Sequence, residues 1–247
     1  TLSGNSLKEN VLEVEQNLEY IDLCELRLDT LTTEDQKKAS QFPSMVNIPV
    51  VATFRRPEDG GRSNVSEKTR RSILFDALDG DFAYVDIEDD VKKCELEDKA
   101  RERKIKIIRS FHDYKGIPTD IFGKIANLSK RGDVVKIAVM TKGIQDILTL
   151  LNIKKELGKV PKIIIGMGPF GVPTRILYKK FGSILTFAGN TEVAPGQLTP
   201  KELKTVYGAD KVNEATAIYG IIGNPVLHTM SPRIHNPGFR GIRYNAI

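Results

Sequence analysis

Tryptophan is absent from the 247 residues, which hold only two cysteines, Cys24 and Cys94, and three histidines. Two cysteines cannot build a disulfide framework, and their spacing matches no zinc pattern, so a reducing compartment and no metal are expected. No uncharged apolar run approaches the roughly 18 residues of a membrane span. The opening Thr1-Leu2-Ser3-Gly4-Asn5 has no basic stretch leading into an apolar one, so no secretory leader is expected. A cytoplasmic location follows, or a plastid one if the source is a plant. A large excess of one charge is also missing: 37 Lys and Arg against 32 Asp and Glu leave +5. The cations are interleaved with acids, as in Glu95-Leu96-Glu97-Asp98-Lys99-Ala100-Arg101-Glu102, which reads as a solvated helix with i,i+4 pairs. No basic cluster alternates with aromatics, so nucleic acid is not the expected partner. A small anionic substrate needs fewer positive charges.

Hydrophobic residues make up 40% of the chain, too many for a disordered one. Strand-like apolar runs cover residues 21–28, 48–54, 82–87, 105–111, 134–140, 162–167 and 183–187. Helical patterns lie between them. Ser6-Leu7-Lys8-Glu9 opens one helix as a capping box, with Leu7, Val11, Val14 and Leu18 as its stripe. A second spans 66–78. A third follows Lys142, with Ile144, Ile147, Leu148 and Leu151 on one side. Strand–helix alternation predicts a parallel sheet covered by helices. A glycine-rich phosphate loop after the first strand, the mark of an open doubly wound sheet, is missing. Seven strands, plus Thr1-Leu2 as the tail of an eighth, predict a (β/α)8 barrel, whose typical length is roughly 250 residues. A helix at 199–207 precedes a polar stretch, and a new apolar strand then begins at 217–223. A closed barrel has no place for it. The domains are therefore expected at 1–213 and 214–247, the latter the first strand region of a second α/β domain.

Chemistry in such barrels sits at the carboxyl ends of the strands. Period two places Glu25 with Arg27, Thr53 with Arg55, Asp86 with Glu88, and Ser110 with His112 on shared faces. Lys136 interrupts the apolar run Val134-Val135-Lys136-Ile137-Ala138-Val139-Met140. A lysine enclosed in a barrel loses hydration, which favours the neutral amine. That amine attacks ketones to form a Schiff base, whose iminium stabilises charge at the neighbouring carbon. The accompanying general base is His112, the only histidine ending a barrel strand.

At these residues the sequence resembles the type I 3-dehydroquinate dehydratases, Schiff-base lyases of the shikimate pathway. Glu25-Leu26-Arg27-Leu28-Asp29, Thr53-Phe54-Arg55, Gly60-Gly61, Asp86-Ile87-Glu88 and Ser110-Phe111-His112-Asp113-Tyr114 stand in family order. Lys136-Ile137-Ala138-Val139-Met140, Gly166-Met167-Gly168, Arg175, Phe181-Gly182-Ser183 and Ala194-Pro195-Gly196-Gln197 follow. The resemblance covers about residues 1–207. It implies dehydration of 3-dehydroquinate to 3-dehydroshikimate without a cofactor. Lys136 would form the imine and His112 would move the proton, with Glu88 close enough to orient it. Arg175 would hold the substrate carboxylate. Glu25, Arg27, Arg55 and Gln197 would bind hydroxyls, with Thr1 and Asp59 as further contacts. Val193 replaces a common serine, and Asp59 stands where some relatives have Glu.

Residues 219–236 resemble the opening of shikimate dehydrogenases. That resemblance implies Thr229 and Ser231 as shikimate contacts, and NADP as cofactor of a dehydrogenase portion lying beyond residue 247. The stretch from Asn236 to Phe239 is shorter than that pattern. Together the two resemblances describe a bifunctional dehydratase–dehydrogenase, and a homodimer is one assembly compatible with it. The residues leave two other readings open: a Schiff-base barrel of aldolase type, and a non-catalytic module that senses quinate or shikimate.

Overall fold

Segments rich in apolar residues build a parallel sheet in the computed structural model, which describes residues 1–92, 94–190, 196–223, 226 and 228–247. Six strands neighbour one another in chain order: β1 (Cys24–Arg27), β2 (Val50–Thr53), β3 (Tyr84–Glu88), β4 (Lys106–Asp113), β5 (Val134–Met140) and β6 (Lys162–Met167). All five pairings are parallel. Parallel neighbours need crossovers, and most of them are helical. Besides two single turns at Thr33–Gln36 and Phe42–Met45, the α-helices among the described residues are α1 (Leu7–Asn17), α2 (Glu67–Ala77), α3 (Glu95–Glu102), α4 (Ile121–Leu128), α5 (Ile144–Leu157), α6 (Val172–Ile176) and α7 (Ser231–Gly241). Ser6 and Ser66 cap α1 and α2 by accepting the N–H groups of Glu9 and Thr69. The reciprocal half of the Ser6 box is shifted by one residue, because Glu9 accepts from the N–H of Asn5.

The sheet curls. Lys136 on β5 lies 3.8 Å from Glu25 on β1, although the two strands are four steps apart in the ladder. A flat sheet would separate them by roughly 19 Å. The enclosed side is filled at its lower levels by Val51, Ile108, Val134 and Ile163. The outer side packs on helices, Val85 and Ile107 with Leu74, and Val135 and Ile137 with Leu150. Each such aliphatic burial stabilises by about 1.5–3 kcal/mol.

The expected seventh strand reduces to a single bridge between Ser183 and Lys162. The Ser183 hydroxyl, not a backbone carbonyl, accepts the next ladder N–H, from Ile164, so the ladder stops there. At the opposite edge Leu2 bridges Leu26. The Thr1 nitrogen donates to the Ala188 carbonyl at 2.6 Å, joining the two flanking pieces.

Three helical expectations change. The buried face of α5 is Ile147, Leu150, Ile153 and Leu157; Ile144 and Leu148 face solvent. Leu18 lies past the end of α1 and is exposed. The 199–207 helix opens at Pro200 and becomes a π-helix at Glu202–Tyr207. Carbonyls of this segment accept side-chain donors of α7: Thr205 from Arg240 and Val206 from Asn236.

The expected strand at 217–223 is also not formed over that length. Ala217 and Tyr219 hydrogen-bond to Asn245 and Ile247, and pairing goes no further. Ile218, Tyr219, Ile221 and Ile222 remain exposed. Val193, Ala194 and Pro195, and Asn224, Pro225 and Leu227 of the second motif, lie outside the described residues. Among the described residues no helix is long and apolar enough to cross a membrane.

Candidate active site

Strand alternation turns Glu25 and Arg27 on β1, His112 on β4 and Lys136 on β5 toward the enclosed side, at its carboxyl end. One small cavity is lined by these four together with Arg55, Asp59, Arg175, Thr1 and Gln197. Every residue before Thr229 that the resemblance gave a role lines it, except Glu88. A wider cleft runs along the adjoining seam between β1 and residues 184–190, bordered by Tyr20, Tyr84 and Tyr178. It holds neither Lys136 nor His112, so the chemistry belongs to the smaller cavity.

Lys136 is buried, and its Nζ donates to Asp86 Oδ2 at 2.8 Å. The Phe187 ring centroid lies 4.3 Å from Nζ. The amine is thus held between a carboxylate and an aromatic ring.

His112 is held neutral. Burial pushes its pKa well below 6.5, and the charges of Arg55 and Lys136 push the same way against the attraction of Asp86. Its Nδ1 is buried and accepts or donates no hydrogen bond among the described residues. A neutral imidazole with an unengaged nitrogen beside a lysine is equipped to take a proton.

The acids around the pair are ionised. Burial alone would raise Glu25, but Lys136 and the arginines Arg27 and Arg55 bring it below its ordinary value. Thr53 and Thr1 each donate a hydroxyl to it at 2.9 Å. Asp86 is held well below the usual carboxylate range: burial opposes this, but contact with Arg55 and Lys136 outweighs it. Arg55 binds Asp86 at 2.8 Å, Glu88 at 3.0 Å and the Ser110 hydroxyl at 3.1 Å.

Glu88 corrects the expectation that it orients His112. Its Oε1 accepts from Arg55 and its Oε2 from Arg70, so both oxygens are engaged by guanidinium groups. No hydrogen bond joins it to His112 among the described residues.

The remaining side chains are set by tight local structure. Two nitrogens of Arg27 bind Asp29 at 2.8 and 2.7 Å, and one of them also donates to Gly60 O. Asp29 in turn accepts the N–H groups of Arg55 and Arg62, tying β1 to the loop after β2. In that loop Gly60 has φ +86°, and a Cβ on Gly61 would sit 2.0 Å from Arg55 O. The loop carries Asp59, whose carboxylate accepts from Arg56 rather than from His112. Tyr114 donates to the Asp59 carbonyl at 3.1 Å. Arg175 is buried in α6, which starts against β6: a Cβ on Gly171 would lie 2.1 Å from Gly166 O. Arg175 donates to Phe187 O at 3.4 Å, and Gln197 to the Thr1 hydroxyl at 3.4 Å.

Thr229 and Ser231 are elsewhere. The Thr229 hydroxyl donates to Ser231 Oγ at 3.0 Å and accepts the Ser231 N–H at the start of α7. Cys24 is buried, which pushes its thiol up to about 12, so it is no nucleophile. Asp86, Ser110 and Arg70 are among the residues here that had no role assigned from the sequence. Asp86 and Ser110 were legible as inward-facing positions; Arg70 sits on a helix and gave no signal.

Residues 1–214 match a family model described as type I 3-dehydroquinase. A chloroplastic bifunctional 3-dehydroquinate dehydratase/shikimate dehydrogenase of Arabidopsis thaliana is 33% identical over 256 residues, covering 99% of this chain and 42% of that protein. The chain thus spans less than half the length of that relative. A 3-dehydroquinate dehydratase of Methanococcus maripaludis is 34% identical over 208 residues, 81% of this chain and 93% of its own. Among solved structures, type I 3-dehydroquinate dehydratase of Clostridium difficile with covalently modified comenic acid superposes with TM-score 0.72 at 27% identity. It covers 83% of this chain and 89% of that one. The dehydroquinate dehydratase and shikimate dehydrogenase of S. pombe shares the fold at TM-score 0.68 and 22% identity, over 99% of this chain and 50% of that one.

Proposed function

The chain belongs to the type I 3-dehydroquinase family, and from that premise we propose that it dehydrates 3-dehydroquinate through an imine on Lys136. The observation that carries this reading is the meeting, in one cavity, of a buried lysine, a neutral histidine and three arginines, Arg27, Arg55 and Arg175.

Lys136 gives a proton to neutral His112 before it attacks, and His112 returns that proton to the departing carbinolamine oxygen. His112 stands on the adjoining strand, where Ser110 pairs with Lys136 and His112 with Ala138. The free amine adds to the C3 carbonyl carbon, and water leaves the carbinolamine to give an iminium. His112 removes a C2 proton, and the C–H electron pair forms an enamine with the iminium carbon. The enamine expels the C1 hydroxyl, which His112 protonates so that it departs as water; the C1–C2 double bond forms. Hydrolysis of the imine releases 3-dehydroshikimate and restores Lys136. Arg175 binds the substrate carboxylate, a task suited to a guanidinium. Glu25, Arg55, Gln197 and Thr1 bind hydroxyls, and Arg27 contributes the N–H groups that Asp29 does not take. Asp59 shapes the mouth from its loop.

The same proposal extends to architecture. The pieces bridged at Leu2 and Ser183, joined by Thr1 and Ala188, serve as the first and last staves of an eight-stave barrel ending near residue 213. Residues 214–247 would open a shikimate dehydrogenase-like substrate domain, with Thr229 and Ser231 as hydroxyl contacts. That stretch contains no G-x-G-x-x-G loop, so no step requiring NADP is assigned to these residues.

Borohydride with 3-dehydroquinate tests the mechanism. The expected result is a mass adduct on Lys136 that disappears in Lys136→Ala along with turnover. Turnover that survives Lys136→Ala, with no adduct, would sink it. Retro-aldol products would support an aldolase-type barrel, and binding without turnover a sensing module.

A further inference from the structure

We infer that Asp86 is a positioning residue that aims the Lys136 amine at the substrate ketone, an inference that rests on the imine reading above. A lysine reaches its target through four rotatable side-chain bonds, and attack requires the nitrogen within about 3–3.5 Å of the carbonyl carbon along the right line. Something must fix the amine before substrate arrives. Asp86 lies two strands away from Lys136, with β4 between them, yet its Oδ2 holds Nζ at 2.8 Å. Lys136 therefore leans back across β4, over Ser110 and toward β3.

Asp86 is itself held against rotation. Its Oδ2 also binds Arg55 NH2 at 2.8 Å, and its Oδ1 accepts the Ser110 hydroxyl. Ser110 Oγ accepts from Arg55 NH1, and that nitrogen is anchored on Glu88 at 3.0 Å. The carboxylate is thus fixed from two sides by groups on two other strands or strand ends. Glu25, the other acid facing Lys136, is 3.8 Å away, and its oxygens accept from Thr53 and Thr1. Asp86 is the group that sets the direction of the amine.

The test compares Asp86→Asn, Ser110→Ala and the unaltered chain. Two quantities are read. One is the rate at which borohydride traps the adduct at saturating 3-dehydroquinate. The other is affinity for quinate, the alcohol analogue, which has no ketone and cannot form an imine. Asp86→Asn is expected to slow trapping roughly 10- to 100-fold, the penalty of a misplaced reacting group. Quinate affinity should fall by a much smaller factor than trapping, because Arg55 loses one partner but keeps Glu88. Ser110→Ala, which frees Asp86 to rotate but keeps its charge, should slow trapping by a smaller factor. Should Asp86→Asn fail to fold, Ser110→Ala decides the matter by the same two readings. Trapping at the unaltered rate in the folded variant overturns the inference. So does a parallel loss of trapping and quinate affinity, which indicates a merely structural ion pair. Absence of any adduct in the unaltered chain overturns the imine reading instead.

Discussion

Arg70 reaches from α2, on the outside of the sheet, to donate to Glu88 on β3 at 2.9 Å. Glu88 takes Arg55 on its other oxygen, so one buried carboxylate links the helical layer to the site. Arg70 also donates to Phe54 O at 3.0 Å, just before Arg55 in the chain. The site arginine is thus held through both its side chain and its neighbouring backbone.

Replacing Arg70 with Met leaves Glu88 half-paired in a buried position. Breaking one side of a buried ion pair costs about 3–5 kcal/mol, and urea unfolding should show a loss of that order. Steady-state kinetics on the folded variant should also show a raised KM, because Arg55 is no longer held on both flanks. An unchanged KM would separate the two layers.

The loop after β2 predicts a sharper effect. Alanine at Gly61 puts Cβ 2.0 Å from Arg55 O, so the backbone that presents Arg55 must move. A displacement near 1 Å costs about 100-fold in rate, and kcat/KM for Gly61→Ala should fall at least that far. Gly143→Ala is the control: its added methyl meets no atom within 4 Å, and kinetics should not change.

His112 sets a pH dependence whose sign follows from its depressed pKa. The unfolded chain takes up this proton near 6.5, while the folded protein resists it. Protons therefore favour unfolding below pH 6.5, by about 1.4 kcal/mol per pH unit from this residue, until the folded value is reached. Urea titrations from pH 7 to 5 should show that slope in the natural chain, beyond whatever other groups contribute. The slope should be reduced by that amount in His112→Phe. The acid limb of kcat/KM should likewise lie below 6.5; a limb above it would show that His112 is not the titrating base.

A buried pair that does not line the cavity predicts stability without activity. Arg109, on the outer side of β4, is bound by Glu97 of α3, and Arg131 shares the same carboxylate. Both Arg109 and Glu97 are buried. Glu97→Ala strands a guanidinium and should lower stability by about 3–5 kcal/mol, with kcat of the folded fraction unchanged. The double change Arg109→Met with Glu97→Leu should recover most of the loss, measured by the same unfolding curves.

Much of this is legible in the chain of residues alone. The strands stand out as segments rich in apolar residues, because both faces of a parallel sheet are buried, and period two put the polar residues among them, such as Glu25, His112 and Lys136, on shared faces. The helix starts at Ser6 and Ser66 were equally plain, since capping is local chemistry. The buried face of α5 was not. Its apolar residues, from Ile144 to Leu157, cover a broad arc of the helix, and the side named from periodicity, Ile144, Ile147, Leu148 and Leu151, lies off the one the sheet covers, Ile147, Leu150, Ile153 and Leu157.

Pairing among the charged groups belonged to the tertiary structure in the same way. Asp86 and Glu88 share a face and a chemistry, and nothing local distinguishes them. The curl of the sheet and the register of β3, β4 and β5 carry Lys136 onto Asp86, while Arg55 and Arg70 converge on Glu88. Which residues share a face was written in the sequence, because backbone alternation alone decides it. Which carboxylate meets which cation was decided by strand spacing and curvature, because an ion pair requires two distant segments to agree within a few tenths of an ångström.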